Sequence, residues 1–169
     1  MKEITIQENQ LIEAANEGMD AFVDVFVRAI QAVTGEEISA DGLSALNAHQ
    51  VTLIAYHHLR EEVMDGGFVQ LIHNGYGDFI FFNPFAKMMR IWGIDGLAAL
   101  INKSRKPFLK YRDEIMQECS NEEFMAMFEK YPVFDDFDDS FVENEEEWTE
   151  SVAHYIDEHI DDFAKIEHE

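Results

Sequence analysis

From Gln7 to Val33 the apolar residues Leu11, Ile12, Ala15, Met19, Phe22, Val23, Phe26, Ile30 and Val33 return every three or four positions, with acids between them. That period marks one face of an amphipathic helix, and Thr34-Gly35 predicts its end, since glycine accepts the closing conformation. The same spacing at Val51, Ile54, Ala55, Leu59 and Val63 predicts a second helix over 47–64, halted by Gly66-Gly67. A short third helix holds Phe68, Leu71 and Ile72 until Asn74-Gly75-Tyr76-Gly77 breaks it. Asp78-Phe79-Ile80-Phe81-Phe82 is an isolated apolar run with no partner strand in view. It predicts a buried, extended connector.

Asn83-Pro84 has the form of an N-cap followed by proline at the first helical position, opening a helix to about Trp92 that Gly93 closes. Asp95 caps the next, from Gly96 to about Lys103, and Pro107 restarts helix through Phe108, Leu109, Tyr111, Ile115 and Met116. Ser120-Asn121-Glu122-Glu123 fits a capping box for a helix ending near Tyr131-Pro132. The last helix is expected over 145–166, with Trp148, Val152, Tyr155, Ile156, His159, Ile160 and Phe163 on one face. These elements predict an all-α fold, a single domain over 1–169 with six to eight helices and no significant sheet.

At 169 residues, 47% of them hydrophobic, the chain can bury a core of its own. Cys119 is the one cysteine, so an internal disulfide and a thiolate zinc cluster are both excluded. The N-terminal stretch has no basic start followed by an apolar run of signal-peptide length, and nowhere do 18 apolar residues run together. The expectation is a cytoplasmic protein without a membrane span.

Charge changes the picture most. The net charge is -23, from 35 acids against 12 Lys plus Arg. Residues 1–86 carry 13 acids and 3 bases, 87–112 carry 1 acid and 7 bases, and 113–169 carry 21 acids and 2 bases. Such a surface repels phosphate and anionic lipid, which argues against direct nucleic-acid or membrane binding. Acidic disordered tails lack aromatics, yet the last segment keeps Phe124, Phe128, Tyr131, Phe134, Phe137, Phe141, Trp148, Tyr155 and Phe163. The charge therefore rides on folded structure. The basic residues Arg105, Lys106, Lys110 and Arg112 are expected to offset acids within the fold or across a homodimer.

The stretch from Glu62 to Gly77 has its own local physics. Gly66 and Gly67 allow a sharp reversal ahead of Phe68, and Gln70 and Asn74 stand four apart on one helical face, where their amides can pair or tie down the neighbouring loop. The stretch reads as a polar, buried hinge. It resembles the E-V-x-N-G-G-F-x-Q-x-x-x-N-x-x-G signature of the bacterial DNA-mimic protein family, whose last glycine corresponds to Gly77, with Asp65 standing where that family has asparagine. The resemblance extends over 47–118 and includes Ile91-Trp92-Gly93-Ile94. It implies an all-helical cytoplasmic fold and, as a role, binding to a DNA-binding protein in place of DNA. It carries over no catalytic residue.

The acids that suit that role are Asp135, Asp136, Asp138, Asp139, Glu143, Glu145, Glu146, Glu147 and Glu150, in a segment, 133–150, without a single base. Were the segment helical, a rise of about 1.5 Å per residue would give roughly one charge per 3 Å, against about 3.4 Å along one DNA strand. A solvated, solubilising face is the plain alternative for any acidic run. Phe134, Phe137 and Phe141, alternating with the acids, argue that these are fixed to a core.

Other chemistry finds less support. Adjacent His57 and His58 point about 100° apart on a helix, and although His154 has Glu150 and Glu158 one turn away on either side, no HExxH pattern occurs. Asp136, Asp138, Ser140 and Glu147 have calcium-loop spacing, but Phe141 occupies the position that needs glycine. No GxSxG, phosphate-cradling loop or Cys-His pairing points to an enzyme. The expectation is a non-catalytic, acidic protein-binding module without cofactor or metal, which mimics DNA toward a basic DNA-binding protein such as a transcription regulator. The alternatives are an immunity or antitoxin protein neutralising a basic toxin, and a ligand-binding or enzymatic module around Gln70 and Asn74.

Overall fold

The periodic stretches become helices, and the interruptions between them set how the chain turns. The computed structural model describes residues 3–168. Met1 and Lys2, on which the expectation about a leader rests in part, lie outside the described residues, as does Glu169. In chain order the elements are β1 (Thr5–Gln7), α1 (Glu8–Glu17), α2 (Met19–Thr34), α3 (Ala40–Ser44), α4 (Ala48–His73), α5 (Gly77–Phe81) and α6 (Phe85–Ile91). They continue with α7 (Asp95–Ile115), α8 (Asn121–Lys130), a 3-10 turn at Pro132–Phe134, α9 (Asp135–Glu158), α10 (Ile160–Phe163) and β2 (Lys165–Glu167). The fold is all-α. The helices beyond the expected six to eight come from a split at Gly18 and from the short α3, α5 and α10.

Two compact units divide the residues, with the divisions falling inside α4 and α9. One unit combines the residues up to Ile54 with those from Glu147 onward. Its core gathers Phe26, Ile30, Leu53, Val152, Ile156 and Phe163, all fully buried. Phe26 meets Phe163 edge-on at 6.3 Å, and Phe163 also touches His49 and Tyr155. The start of α4 fixes the C-terminal segment. Asn47 and Gln50 exchange backbone-to-side-chain bonds of 3.0 and 2.8 Å, while their amides donate to the carbonyls of Asp162 and Phe163 at 2.8 Å each. β1 and β2 pair in parallel, Thr5 opposite Lys165 and Gln7 opposite Glu167, with Ile4 and Ile6 buried.

The other unit holds residues 55–146. Phe68, Leu71, Ile72, Ile80, Met89, Leu97, Phe108, Ile115, Phe134 and Phe141 are fully buried there. Phe81 stacks on Phe108 at 4.3 Å, and Phe68 lies 6.4 Å from both Phe134 and Phe137.

Several expectations are corrected. The helix over 7–33 is two helices: Gly18, at φ 132° and ψ 178°, cannot continue a helix, although its N–H still reaches the Ala14 carbonyl. Asp78–Phe82 is not an extended connector, because Gly77–Phe81 forms α5. Phe79, Ile80 and Phe81 are buried in succession, and a short apolar run enclosed on all sides carries no period that separates strand from helix. The Asn83 amide does not cap α6. It turns back to donate to the Phe79 carbonyl at 2.9 Å, leaving Pro84 at the N-cap position. Nor does Asp95 cap, for Ile94 holds that place, and α7 runs through the buried Pro107 to Ile115. The cost of an internal proline, about 3 kcal/mol, is offset by burial of Leu97, Ile101, Phe108 and Ile115 along one helix.

The final long helix begins at Asp135 rather than Glu145, and ends at Glu158 rather than Ile166. Asp135, Asp136 and Asp138 fill its first turn, where carboxylates favour the positive end of the helix dipole. The acidic run is thus a helix start. Beyond Glu158, His159 leaves helical geometry, and the chain passes through α10 into β2 with no glycine or proline to announce it. The capping box at Ser120 and Glu123 is present as expected.

Candidate functional site

Along α9 the helical repeat of about 100° per residue sorts the nine acids. Asp135, Asp136, Asp139, Glu143, Glu146, Glu147 and Glu150 fall within an arc of about 120°, and all seven are exposed. Over roughly 24 Å of helix they present about one carboxylate per 3.4 Å, the linear spacing of phosphates along one DNA strand. Asp157 and Glu158, also exposed near the end of α9, extend the acidic face beyond the residues singled out in the sequence. Asp157 stands two helical turns past Glu150, a relation visible as soon as the helical phase of the acids is followed.

The other two acids turn inward and are not part of that face. Glu145 is only 7% exposed and pairs with Arg60 of α4. Asp138 is half-buried, and its Oδ1 accepts the backbone N–H of Phe68 at 2.8 Å. Burial pushes the Asp138 carboxyl up to about 6, against the lowering effect of the Phe68 bond, and the neighbouring Asp135 and Asp139 add to the rise. Both residues hold the acidic helix in place. In the sequence they are indistinguishable from the surface charges around them, because an acid and its partner 70 or 85 positions away share no local signal.

The seat for Asp138 is the double glycine. Within α4 the backbone leaves helical geometry at Gly66 (φ -144°) and Gly67 (φ 73°), which frees the Phe68 N–H from the helical ladder. A Cβ on Gly67 would collide with the Asp138 carboxylate, and one on Gly66 would collide with the Gln70 side chain. Gly77 is close-packed as well, since a Cβ there would lie 2.5 Å from the Phe108 ring. Gln70 and Asn74 do not pair with each other. Both amides donate to Glu62 Oε2, at 2.8 and 2.9 Å, and Gln70 also donates to Asp65 at 2.9 Å. Position 65 thus works as an acceptor, which a carboxylate supplies as well as an amide oxygen does.

The remaining candidates separate. The calcium-like spacing of Asp136, Asp138, Ser140 and Glu147 lies on a run of helix, and Phe141 is fully buried, so these oxygens do not converge as in a loop. His154 stands 3.6 Å from Glu150 on the exposed face of α9. His58 is buried against Tyr76, with ring centroids 4.6 Å apart, and no partner reaches its Nε2. Burial, reinforced by His57, lowers its pKa to about 4, which keeps it neutral at pH 7. In the basic segment, Arg112 reaches both oxygens of Asp78 at 2.6 and 2.7 Å and Asp113 at 3.0 Å, so this arginine offsets acids within its own unit.

A family model described as DMP19-like protein matches residues 44–159. The match takes in the double glycine and all of α9, and so runs well past the 47–118 region of the sequence resemblance. A protein of Neisseria meningitidis serogroup B named DNA mimic protein DMP19 is 32% identical over 136 residues, which cover 80% of each chain. On both grounds, this chain belongs to the DMP19-like protein family.

Proposed function

We propose that the protein acts in the cytoplasm as a DNA mimic, occupying the DNA-binding surface of a basic partner such as a transcription regulator. It works by occupancy and not by catalysis. The observation that carries this reading is the seven exposed carboxylates on one arc of α9, spaced like phosphates and standing on a helix anchored through Asp138 and Glu145. Anchoring matters because floppy acids would lose conformational entropy on meeting a groove, whereas a preset row does not. Lysines and arginines placed to meet a polynucleotide would find carboxylates at matching intervals. The name of the meningococcal relative supports the same role.

The test is competition. Against a panel of purified bacterial DNA-binding proteins, a cognate partner should bind this protein or its DNA, never both. Raising salt from about 50 to 200 mM should weaken the complex at least ~100-fold, because several close charge pairs are screened together. Formation of a ternary complex with DNA would overturn the proposal. An immunity role would use the same carboxylates against a basic toxin; rescue of cells that express a neighbouring toxin gene separates it from regulator binding. The amides of Gln70 and Asn74 are engaged by Glu62, which leaves a ligand site around them without its expected donors.

A further inference from the structure

DNA offers a basic groove phosphates, sugars and base edges, whereas this protein sets part of its acidic face beside an apolar depression. In the unit that holds the end of α9, an open cleft of about 540 Å³ lies between that helix and the bend joining α1 to α2. Ala15, Met19, Phe22 and Ala153 give it an apolar lining. Glu150 and Asp157, both exposed, contribute carboxylates two helical turns apart, about 10 Å along the axis. Glu150 belongs to the acidic arc described above, so the cleft opens beside the face proposed to meet the partner.

Resting on the DNA-mimic reading, we propose that this cleft receives an arginine or lysine side chain of the partner, its aliphatic stem on the apolar lining and its charged head against Glu150 or Asp157. Charge complementarity selects the occupant. His154 also lines the cleft, 3.6 Å from Glu150; a purely apolar group would still add nothing to the two carboxylates, an acidic one would be repelled, and a long cationic side chain satisfies lining and carboxylates together. The consequence is selectivity. A charge row alone attracts any basic groove, while a cleft that needs a protruding cationic side chain at one position favours partners that carry it.

The experiment uses small probes on the whole protein. Backbone amide NMR shifts are followed during titration with n-butylguanidinium, guanidinium and n-butanol. The first probe combines stem and charge, and the others offer one feature each. We expect n-butylguanidinium to produce saturating shifts centred on Ala15, Phe22, Glu150 and Ala153, and to bind at least about tenfold more tightly than either control. Glu150→Gln combined with Asp157→Asn should weaken it at least about fivefold. Ala15→Trp, at an exposed position of α1, should block it by filling the cleft. Equal affinity for guanidinium and n-butylguanidinium, or shifts as large at Asp135, Asp139 and Glu143 as at the cleft, would overturn the proposal and leave a diffuse ion atmosphere. The two readings fail separately. If Ala15→Trp blocks the probe yet competes with DNA for a cognate regulator as well as the native protein does, the cleft inference falls and mimicry stands. If neither it nor neutralisation of the α9 acids weakens regulator binding, mimicry itself falls.

Discussion

Gly18 in one unit and Gly67 in the other both bend the chain between helical runs at positive φ, and the two bends are built differently. At Gly67 the bend is full: the Asp138 carboxylate stands against the α-carbon and takes the Phe68 N–H. At Gly18, between α1 and α2, the backbone also adopts a positive φ, yet nothing lies within 4 Å of where a Cβ would sit. One bend is filled by an acid from the mimic helix and serves to position it. The other stays open and borders the cleft. The same residue type thus supports opposite uses, and what distinguishes them is the neighbour, not the backbone.

Gly67→Ala combines an unfavourable φ with a collision, and should cost about 3 kcal/mol of stability by urea denaturation. A loss below ~1 kcal/mol would mean that Asp138 moves aside at little cost and is not seated there. Gly18→Ala meets only the backbone penalty and should cost about 1 kcal/mol, with no change in Asp138. Were the two variants equally unstable, filling would not be the difference between the bends.

Asp138 sharpens the contrast through pH. Its carboxyl is raised from 3.8 to about 6, so the folded protein binds a proton more readily than the unfolded chain does between those values. Its contribution to stability is therefore largest below pH 3.8 and is lost as pH rises through about 6, where the ionised group must stay half-buried. Asp138→Asn removes this dependence. Relative to the native protein it should gain roughly 1 kcal/mol between about pH 4.5 and 7.5, a figure reduced from the full shift to allow for partial exposure. Comparing variant with parent at each pH cancels His58, whose lowered pKa acts in the opposite sense: the stability it adds above pH 6.5 is lost as pH falls through about 4. A flat difference between the two proteins would show that the Asp138 site is open to water.

The smallest stability effect is expected on the exposed arc. Asp139→Asn, Glu143→Gln and Glu146→Gln together, all beyond the first turn, should change stability by no more than about 0.5 kcal/mol, in the stabilising direction, because they relieve like-charge repulsion. Their effect belongs in binding: the salt dependence of regulator binding should flatten while the fold persists. A marked loss of stability would place these acids in the scaffold beside Asp138 and Glu145.

Much of this architecture was legible in the chain. The periods of α2 and α4, the stops at Gly35 and Gly75 and the box at Ser120 and Glu123 all involve residues within a few positions of one another. The acidic segment was legible as charge but not as helix. Its aspartates have low helical preference in an interior and high preference at an N-terminus, and only the placement of the start resolves which applies. The short α5 escaped for the opposite reason, since every residue of Phe79-Ile80-Phe81 is apolar and no face stands out.

The amino-acid order alone determined that this protein is helical, strongly negative and bent at a double glycine, since propensity, periodicity, charge and capping act over a few neighbouring residues. Which acids face water was decided only when α4 and α9 met. Asp138 and Asp139 are adjacent and chemically alike, yet one accepts the Phe68 N–H and the other stands exposed. That assignment depends on a group 70 residues away in the chain, and no local rule carries information across such a distance.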